Sequence, residues 1–226
     1  MQSLSRLAEL FSDWQHLVRR DGWRSAWRPI LSDLCRLPYR RIHYLQLSRL
    51  LSDPLPTIRP GIPLEVRPFE QSDLQAVSNE YLPSEAKLCE KRMERGHFGF
   101  VACHQGRFLG YAWACTDCSL ERVVLPFDAG DILFNDAFTV PAYRGRGVQT
   151  SLLVARLHFS RESGYRRAVA YAEISNLPSI KAWLKVGGSV TGHIRLTRVF
   201  NWRRSSFRSG SCGQNTFVPF SKGLGS

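Results

Sequence analysis

Asp136–Gly164, DAFTVPAYRGRGVQTSLLVARLHFSRESG, decides how the rest of the chain is read. Its first residues form the end of an apolar strand, which breaks at Pro141 and turns through Tyr143-Arg144-Gly145-Arg146-Gly147. Beyond the turn, Val148, Leu152, Ala155 and Phe159 recur at the spacing of one helical face. Leu153 and Leu157 widen that face, and Gly164 is a natural stop. A strand passing through a glycine-bearing turn straight into a helix leaves backbone N–H groups unpaired at the helix start. The helix dipole adds partial positive charge there, which suits the turn to a phosphate. Arg144 and Arg146 add guanidinium groups that match phosphate oxygens.

The turn lacks the Gly-x-x-x-x-Gly-Lys-Ser/Thr of nucleotide-hydrolysing loops and the Gly-x-Gly-x-x-Gly of dinucleotide folds. Instead, Val140-Pro141-Ala142-Tyr143-Arg144-Gly145-Arg146-Gly147-Val148 resembles the coenzyme loop of the GCN5-related N-acetyltransferase (GNAT) superfamily. The family pattern is Arg/Gln-x-x-Gly-x-Gly/Ala. Arg144 and Gly147 match its first two fixed positions, and Gln149 stands where the family has glycine or alanine. The resemblance implies acetyl-CoA as co-substrate, its pyrophosphate wrapped by Arg144, Gly145, Arg146, Gly147, Val148, Gln149 and Thr150. It also implies that a backbone N–H around Phe138, Thr139 and Val140 polarises the reacting carbonyl.

Working outward, Phe98–His104 and Phe108–Ala114 are apolar runs joined through Gln105-Gly106-Arg107, a hairpin signal. Leu64–Pro68 reads as a short first strand. Ser72 or Asp73 is a candidate cap for a helix carrying Leu74 and Val77, and a second helix runs from Ser84 to Arg95. Ile132–Val140, Ala168–Ala172 and Val190–Phe200 supply further strands. A helix from about Pro178 to Gly187 has proline near its first turn. Family members often carry Asn, then Ala or Ser three residues on, then a helix ending in Lys-x-Gly-Phe. Asn176, Ser179, Lys185 and Gly187 match that pattern, and Gly188 replaces the phenylalanine. Two motifs and the strand order agree over Leu64–Phe200. The expected fold is therefore the α/β (α+β) GNAT fold, with a mixed, mostly antiparallel sheet flanked by helices.

Three segments follow. Residues 1–60 read as a basic amphipathic extension, with Leu4, Leu7, Leu10, Phe11, Trp14, Leu17 and Val18 at helical spacing. Trp23 and Trp27 follow among arginines, and Tyr39–Leu51 fits strand or helix. Such a segment suits an anionic membrane surface, or packs its apolar face on the domain behind it. Asp53-Pro54-Leu55-Pro56, with Pro60-Gly61 and Pro63, reads as a linker. Residues 61–202 are the expected catalytic domain. Residues 203–226, rich in Ser, Gly and Arg, are an expected disordered tail.

The chain has 226 residues, 43% of them apolar, enough for a sizeable core. Its net charge of +12, carried mostly by arginine, favours acidic partners without choosing among them. Nucleic acid ranks low, because no recognition motif accompanies the arginines. Six scattered cysteines lack zinc-site spacing, and the histidines have none either, so no metal is expected. Reduced thiols, no signal peptide and no apolar run of spanning length point to the cytoplasm, with membrane association through the extension.

Amine acylation needs a base, and Asp136 and Glu173 are the candidate carboxylates. Asp136 lies on the strand entering the loop, and Glu173 follows the next strand, near where GNAT sheets splay. Many family members also place a tyrosine in the late helix to protonate the departing sulfur. Trp183 stands there, and indole is no acid, which leaves Ser179, Tyr171 or water. The resemblance thus implies an N-acetyltransferase acting on a small-molecule or peptide amine. Its competitor is a GNAT-shaped coenzyme-binding or interaction module without turnover.

Overall fold

The computed structural model describes residues 13–19, 39–58, 60–117, 128–199 and 202–209. Two compact units divide the chain, one comprising Met1–Leu37 with Phe69–Gly96, the other Pro38–Pro68 with His97–Ser226.

The first unit contains helix α1 (13–19), α2 (Asp73–Glu80) and α3 (Pro83–Glu94). Ser72 precedes α2 without a side-chain cap bond. The local turn is closed instead by the Asp73 carboxylate, which accepts from the Glu70 amide at 2.8 Å. Asp13 of α1 accepts from the Ser84 amide at 3.2 Å and from its hydroxyl at 2.7 Å, which caps α3 from a distant part of the chain. The remainder of the amphipathic run and the Trp23–Arg36 stretch lie outside the described residues.

The second unit is built on one eight-stranded sheet in the order β2-β3-β4-β5-β6-β1-β7-β8. The strands are β1 (Tyr39–Leu50), β2 (Glu65–Pro68), β3 (Phe98–His104), β4 (Arg107–Cys115), β5 (Asp131–Thr139), β6 (Arg167–Glu173), β7 (Ser189–Val199) and β8 (Trp202–Ser209). All neighbours pair antiparallel except β5 and β6. Helices α4 (Val148–Glu162) and α5 (Leu177–Lys185) pack against the sheet. Leu153 and Leu157 of α4 join Phe134, Ala170, Ala172 and α5's Ile180 and Trp183 in one core cluster. Val148 and Leu152 face a second cluster with Phe100, Ala102, Leu109 and Ala112.

Two segments differ from the sequence-based expectation. Tyr39–Leu50, inside the 1–60 extension, is a strand hydrogen-bonded between β6 and β7. Leu47 is fully buried there and Leu45 packs on the core cluster, so part of the extension is integral to the sheet. Trp202–Ser209, which but for Trp202 falls in the expected tail of 203–226, pairs with β7 from Val199↔Trp202 to Gly192↔Ser209. Main-chain pairing along an edge needs few core-forming side chains, which is why composition concealed it. Residues 210–226 lie outside the described set.

Candidate active site

β5 and β6 run side by side only from Asp131↔Arg167 to Phe134↔Ala170. Arg167 clamps the start of this pair, donating to Asp131 at 2.6 Å and to Asp128 at 2.8 Å. Past Phe134 and Ala170 both strands continue without pairing, to Thr139 and Glu173, so a gap opens at their C-terminal ends. A bulge accompanies the opening. Trp113 pairs with Asn135 and Ala112 with Ala137, which leaves Asp136 as the extra residue at φ +31°.

Beyond the bulge β5 rejoins β4. The Val140 amide donates to the Leu109 carbonyl at 2.9 Å. Alternate N–H groups point to opposite edges of a strand, so Phe138 shares Val140's direction and Thr139 turns its amide toward the gap. Gly110 stands opposite Thr139, and a Cβ there would lie 2.3 Å from the Phe138 carbonyl oxygen. Only glycine permits that approach.

The loop follows as a 3₁₀ turn (Pro141–Tyr143) and then α4. Gly147 has φ +89°, and a Cβ on it would sit 3.2 Å from Cα of Pro60. The Arg146 carbonyl accepts from the Gly61 amide at 3.1 Å, so the linker backs the loop from outside. The ladder of α4 begins where the Ser151 amide donates to the Gly147 carbonyl at 2.9 Å, so the amides of Val148, Gln149 and Thr150 stand in the first turn, ahead of that ladder. That row of donors at a helix start is the arrangement an anionic phosphate fits. Arg144 Nε lies 3.3 Å from the Thr139 carbonyl, and the Arg146 guanidinium sits 5.5 Å over the Tyr143 ring. Thr139 Oγ1 is 3.4 Å from Gln149 Oε1, a contact that ties helix start to strand end and that a glycine could not make.

The two carboxylates stand on opposite arms of the gap. Glu173 ends β6, paired with Tyr44 of β1. Asp136 occupies the bulge, 3.5 Å from the Tyr111 hydroxyl. Beneath it lies a charge that sequence reading missed. Arg156 on α4 is only 3% exposed, donates to the Trp113 carbonyl at 2.9 Å, and stacks 4.6 Å over Phe134. Burial lowers its pKa to about 9, with the Asp136 charge opposing the shift. Trp113 is the residue at which the ladder skips, so Arg156 supplies a donor beside the interrupted pairing. The available signal was Arg156's position four residues after Leu152, on the buried stripe of α4.

At the second motif, Asn176 caps α5, its side chain accepting from the Ser179 amide at 3.3 Å. Trp183 is buried against Phe134. A Cβ on Gly188 would lie 2.8 Å from the Trp183 ring and 2.9 Å from its carbonyl oxygen. Glycine replacing the family phenylalanine and tryptophan replacing its tyrosine are therefore one packing solution. Tyr171, on β6 just past the end of the β5 pairing, accepts from Gln46 Nε2 at 2.8 Å.

His158 is exposed on α4. Cys89, Cys103 and Cys115 are buried, with Cys115 Sγ donating to the Asp117 carbonyl at 3.0 Å, and the other cysteines lie outside the described residues. Among the described residues no three His, Cys, Asp or Glu side chains gather as a metal site would. No helix among them is long and apolar enough to cross a membrane.

Residues 64–188 match the family model described as "Acetyltransferase (GNAT) family". No curated protein matches the chain in sequence. Among solved structures, a putative acetyltransferase of the GNAT family from Novosphingobium aromaticivorans is similar at TM-score 0.51 and 18% identity, over 70% of this chain and 64% of that one. A GCN5-related N-acetyltransferase from Sphaerobacter thermophilus is similar at TM-score 0.51 and 17% identity, over 85% of this chain and 58% of that one. A putative acetyltransferase from Salmonella typhimurium, solved with acetyl-CoA, is 22% identical over 55% of this chain and 78% of that one, at TM-score 0.43.

Proposed function

The chain belongs to the acetyltransferase (GNAT) family, and from that premise we propose that it is an N-acyltransferase moving an acetyl group from acetyl-CoA to a primary amine. The observation that carries the reading is the glycine-bearing turn that runs into the first turn of α4, where the amides of Val148, Gln149 and Thr150 precede the helix ladder, at the mouth of the β5/β6 gap. Those amides, with Arg144 and Arg146 at the rim, hold the pyrophosphate. Phe138 and Val140 fix the strand on either side of Thr139, whose N–H donates to the acyl oxygen as negative charge develops there. Asn176 and Ser179 border the pantetheine arm at the start of α5.

The bound thioester supplies an activated acyl carbonyl, and the chain must do the rest. The ammonium proton of the acceptor leaves through Asp136 or Glu173, the carboxylates on the two arms, directly or through water. Tyr171 carries the more acidic hydroxyl of Ser179 and Tyr171, and it or water returns a proton to the thiolate. The acceptor is a small-molecule or peptide amine, and the enzyme works in the cytoplasm. The catalytic domain takes in β1 and β8 beside the expected 61–202, and the Trp/Arg-rich run within 1–60 makes peripheral contact with anionic membrane.

A coenzyme-binding module without turnover is the competing reading, and the burial of Trp183 at the family's acid position favours it. Release of free thiol from acetyl-CoA across a panel of primary amines separates the two. Amine-dependent release that falls about 10²-fold or more in Asp136→Asn or Glu173→Gln supports the transferase. Acetyl-CoA binding without release by any amine supports the module.

A further inference from the structure

All of the chain's acidic residues precede Ile174. From Ile174 to Ser226 there are eight Lys and Arg and no Asp or Glu, and Tyr39–Leu50 contains no acid either. The fold brings these two acid-free stretches together, because β1 pairs with β7 along nearly its whole length. Charge segregated this strongly along a sequence, and then gathered by pairing, forms a local positive field.

Its face follows from the register. Leu45 packs on the core cluster that contains α5, and Arg41 and His43 share Leu45's side of the strand. Across the ladder, His43 stands opposite Arg195 and Leu45 opposite His193. All four of Arg41, His43, His193 and Arg195 are exposed. The opposite side of β7 carries Ile194 and Leu196, which are buried. β1 also outruns β6: that pairing ends at Tyr44↔Glu173, while β1 continues back to Tyr39↔Val199. Arg41 and His43 lie in this overhang, beyond the last β6 pair. Arg204 and Arg208 on β8 occupy the register positions beside Thr197 and His193.

Apolar groups border this basic face. Ile174 is 53% exposed and its amide donates to the His43 carbonyl at 2.9 Å, which fixes it beside the overhang. On α5, Leu177 is 56% exposed and Leu184 is 49% exposed. They lie on one helical stripe with exposed Lys181 and Lys185. Water-facing leucine costs free energy that phosphate binding does not recover, so a polynucleotide would leave these side chains unexplained. A lipid surface accounts for both parts, with arginines and lysines on anionic headgroups and Ile174, Leu177 and Leu184 at the acyl boundary.

We propose that the α5–β1–β7 face, with Arg41, Arg195, Lys181, Ile174, Leu177 and Leu184, is a docking surface for an anionic lipid bilayer. This surface is separate from the Trp/Arg-rich N-terminal run and stands whether or not the protein transfers acyl groups. Ile174 and Leu177 follow directly on Glu173, so docking brings the mouth of the β5/β6 gap close to the headgroups.

The test is co-sedimentation of the full chain with vesicles of phosphatidylcholine alone and with phosphatidylserine added. Binding that requires phosphatidylserine and weakens in high salt is expected. Arg41→Glu/Arg195→Glu is expected to lower the partition coefficient at least about tenfold. Leu177→Ser/Leu184→Ser lowers it several-fold without changing binding to a DNA duplex. Should the strand variant fail to fold, judged by circular dichroism, Lys181→Glu/Lys185→Glu on the exposed helix stripe replaces it, with the same expected direction. The proposal is overturned if the full chain shows no phosphatidylserine-dependent binding. It is equally overturned if the charge variants bind as the parent does, which would leave the N-terminal run as the anchor. Parental vesicle binding by the leucine variant, with tight duplex binding by the parent, would identify a nucleic-acid surface instead.

Discussion

Replacing Gly110 by alanine tests how the sheet positions the reacting carbonyl. A Cβ at Gly110 meets the Phe138 carbonyl oxygen at 2.3 Å and Cα of Thr139 at 3.1 Å. Both are backbone atoms, so no rotamer change relieves the overlap. Restoring ordinary contact moves β5 away from β4 by about 1 Å at the residue whose amide faces the gap. Overpacking of this kind costs about 1–3 kcal/mol, and each kcal/mol lowers Tm by about 2–4 °C in a chain of this size. A displacement of about 1 Å in a positioning group costs about 10²-fold in rate. The assay is thiol release at saturating amine, with a thermal melt and an acetyl-CoA titration on the same variant. Turnover is expected to fall about 10²-fold while affinity, set by the loop, changes by less than about tenfold. Gly106→Ala is the control. Gly106 has φ +75° with no heavy atom within 4 Å of an added Cβ, so it costs about 1–2 kcal/mol of backbone strain without a backbone overlap. Parental turnover in Gly110→Ala, or an equal turnover loss in Gly106→Ala, refutes the reasoning.

Three further outcomes are expected. Gly188→Ala drives a methyl group into the Trp183 ring and carbonyl and destabilises by about 1–3 kcal/mol, read as a fall in the denaturation midpoint. Burial holds the Arg156 pKa at about 9, below its ordinary value, so above about pH 9 the unfolded chain holds the extra proton and this group's contribution to stability rises with pH. Urea titrations from about pH 9 upward should show that rise in the parent, approaching ~1 kcal/mol per pH unit, and its absence in Arg156→Met. Asn176→Ala removes the α5 cap and costs about 1 kcal/mol, and Asn176→Asp restores most of it in the same thermal melts.

Much of the second unit was legible because each element carries its own local signal. Gln105-Gly106-Arg107 marks the hairpin between β3 and β4, and the period of Val148, Leu152 and Leu157 marks α4. Pro178 and Gly187 bracket α5. Pairing partners carry no such signal. Tyr39–Leu50 alternates well enough for a strand, but nothing in it says that it enters the sheet between β6 and β7. β8 was hidden for the opposite reason, since its Ser/Arg composition denies the core its usual marks while its order comes from bonding to β7. The bulge at Asp136 was invisible because a single extra residue between Phe134 and Phe138 leaves the composition of the run unchanged. Arg156 was not singled out, because nothing local to it marks the Trp113 carbonyl and the Phe134 ring that receive it inside. Trp183 and Gly188 looked like two separate losses from the family pattern, and the contact between them shows one substitution accommodating the other.

Titration calorimetry of the intact protein against acetyl-CoA and against acetyl-pantetheine, which lacks the pyrophosphate, probes the loop most directly. Saturable binding of acetyl-CoA is expected, weakened at least about tenfold by Arg144→Glu, with acetyl-pantetheine weaker again. Equal affinity for the two compounds, or no heat with either, would contradict the assignment of the Gly145–Thr150 amides to a diphosphate.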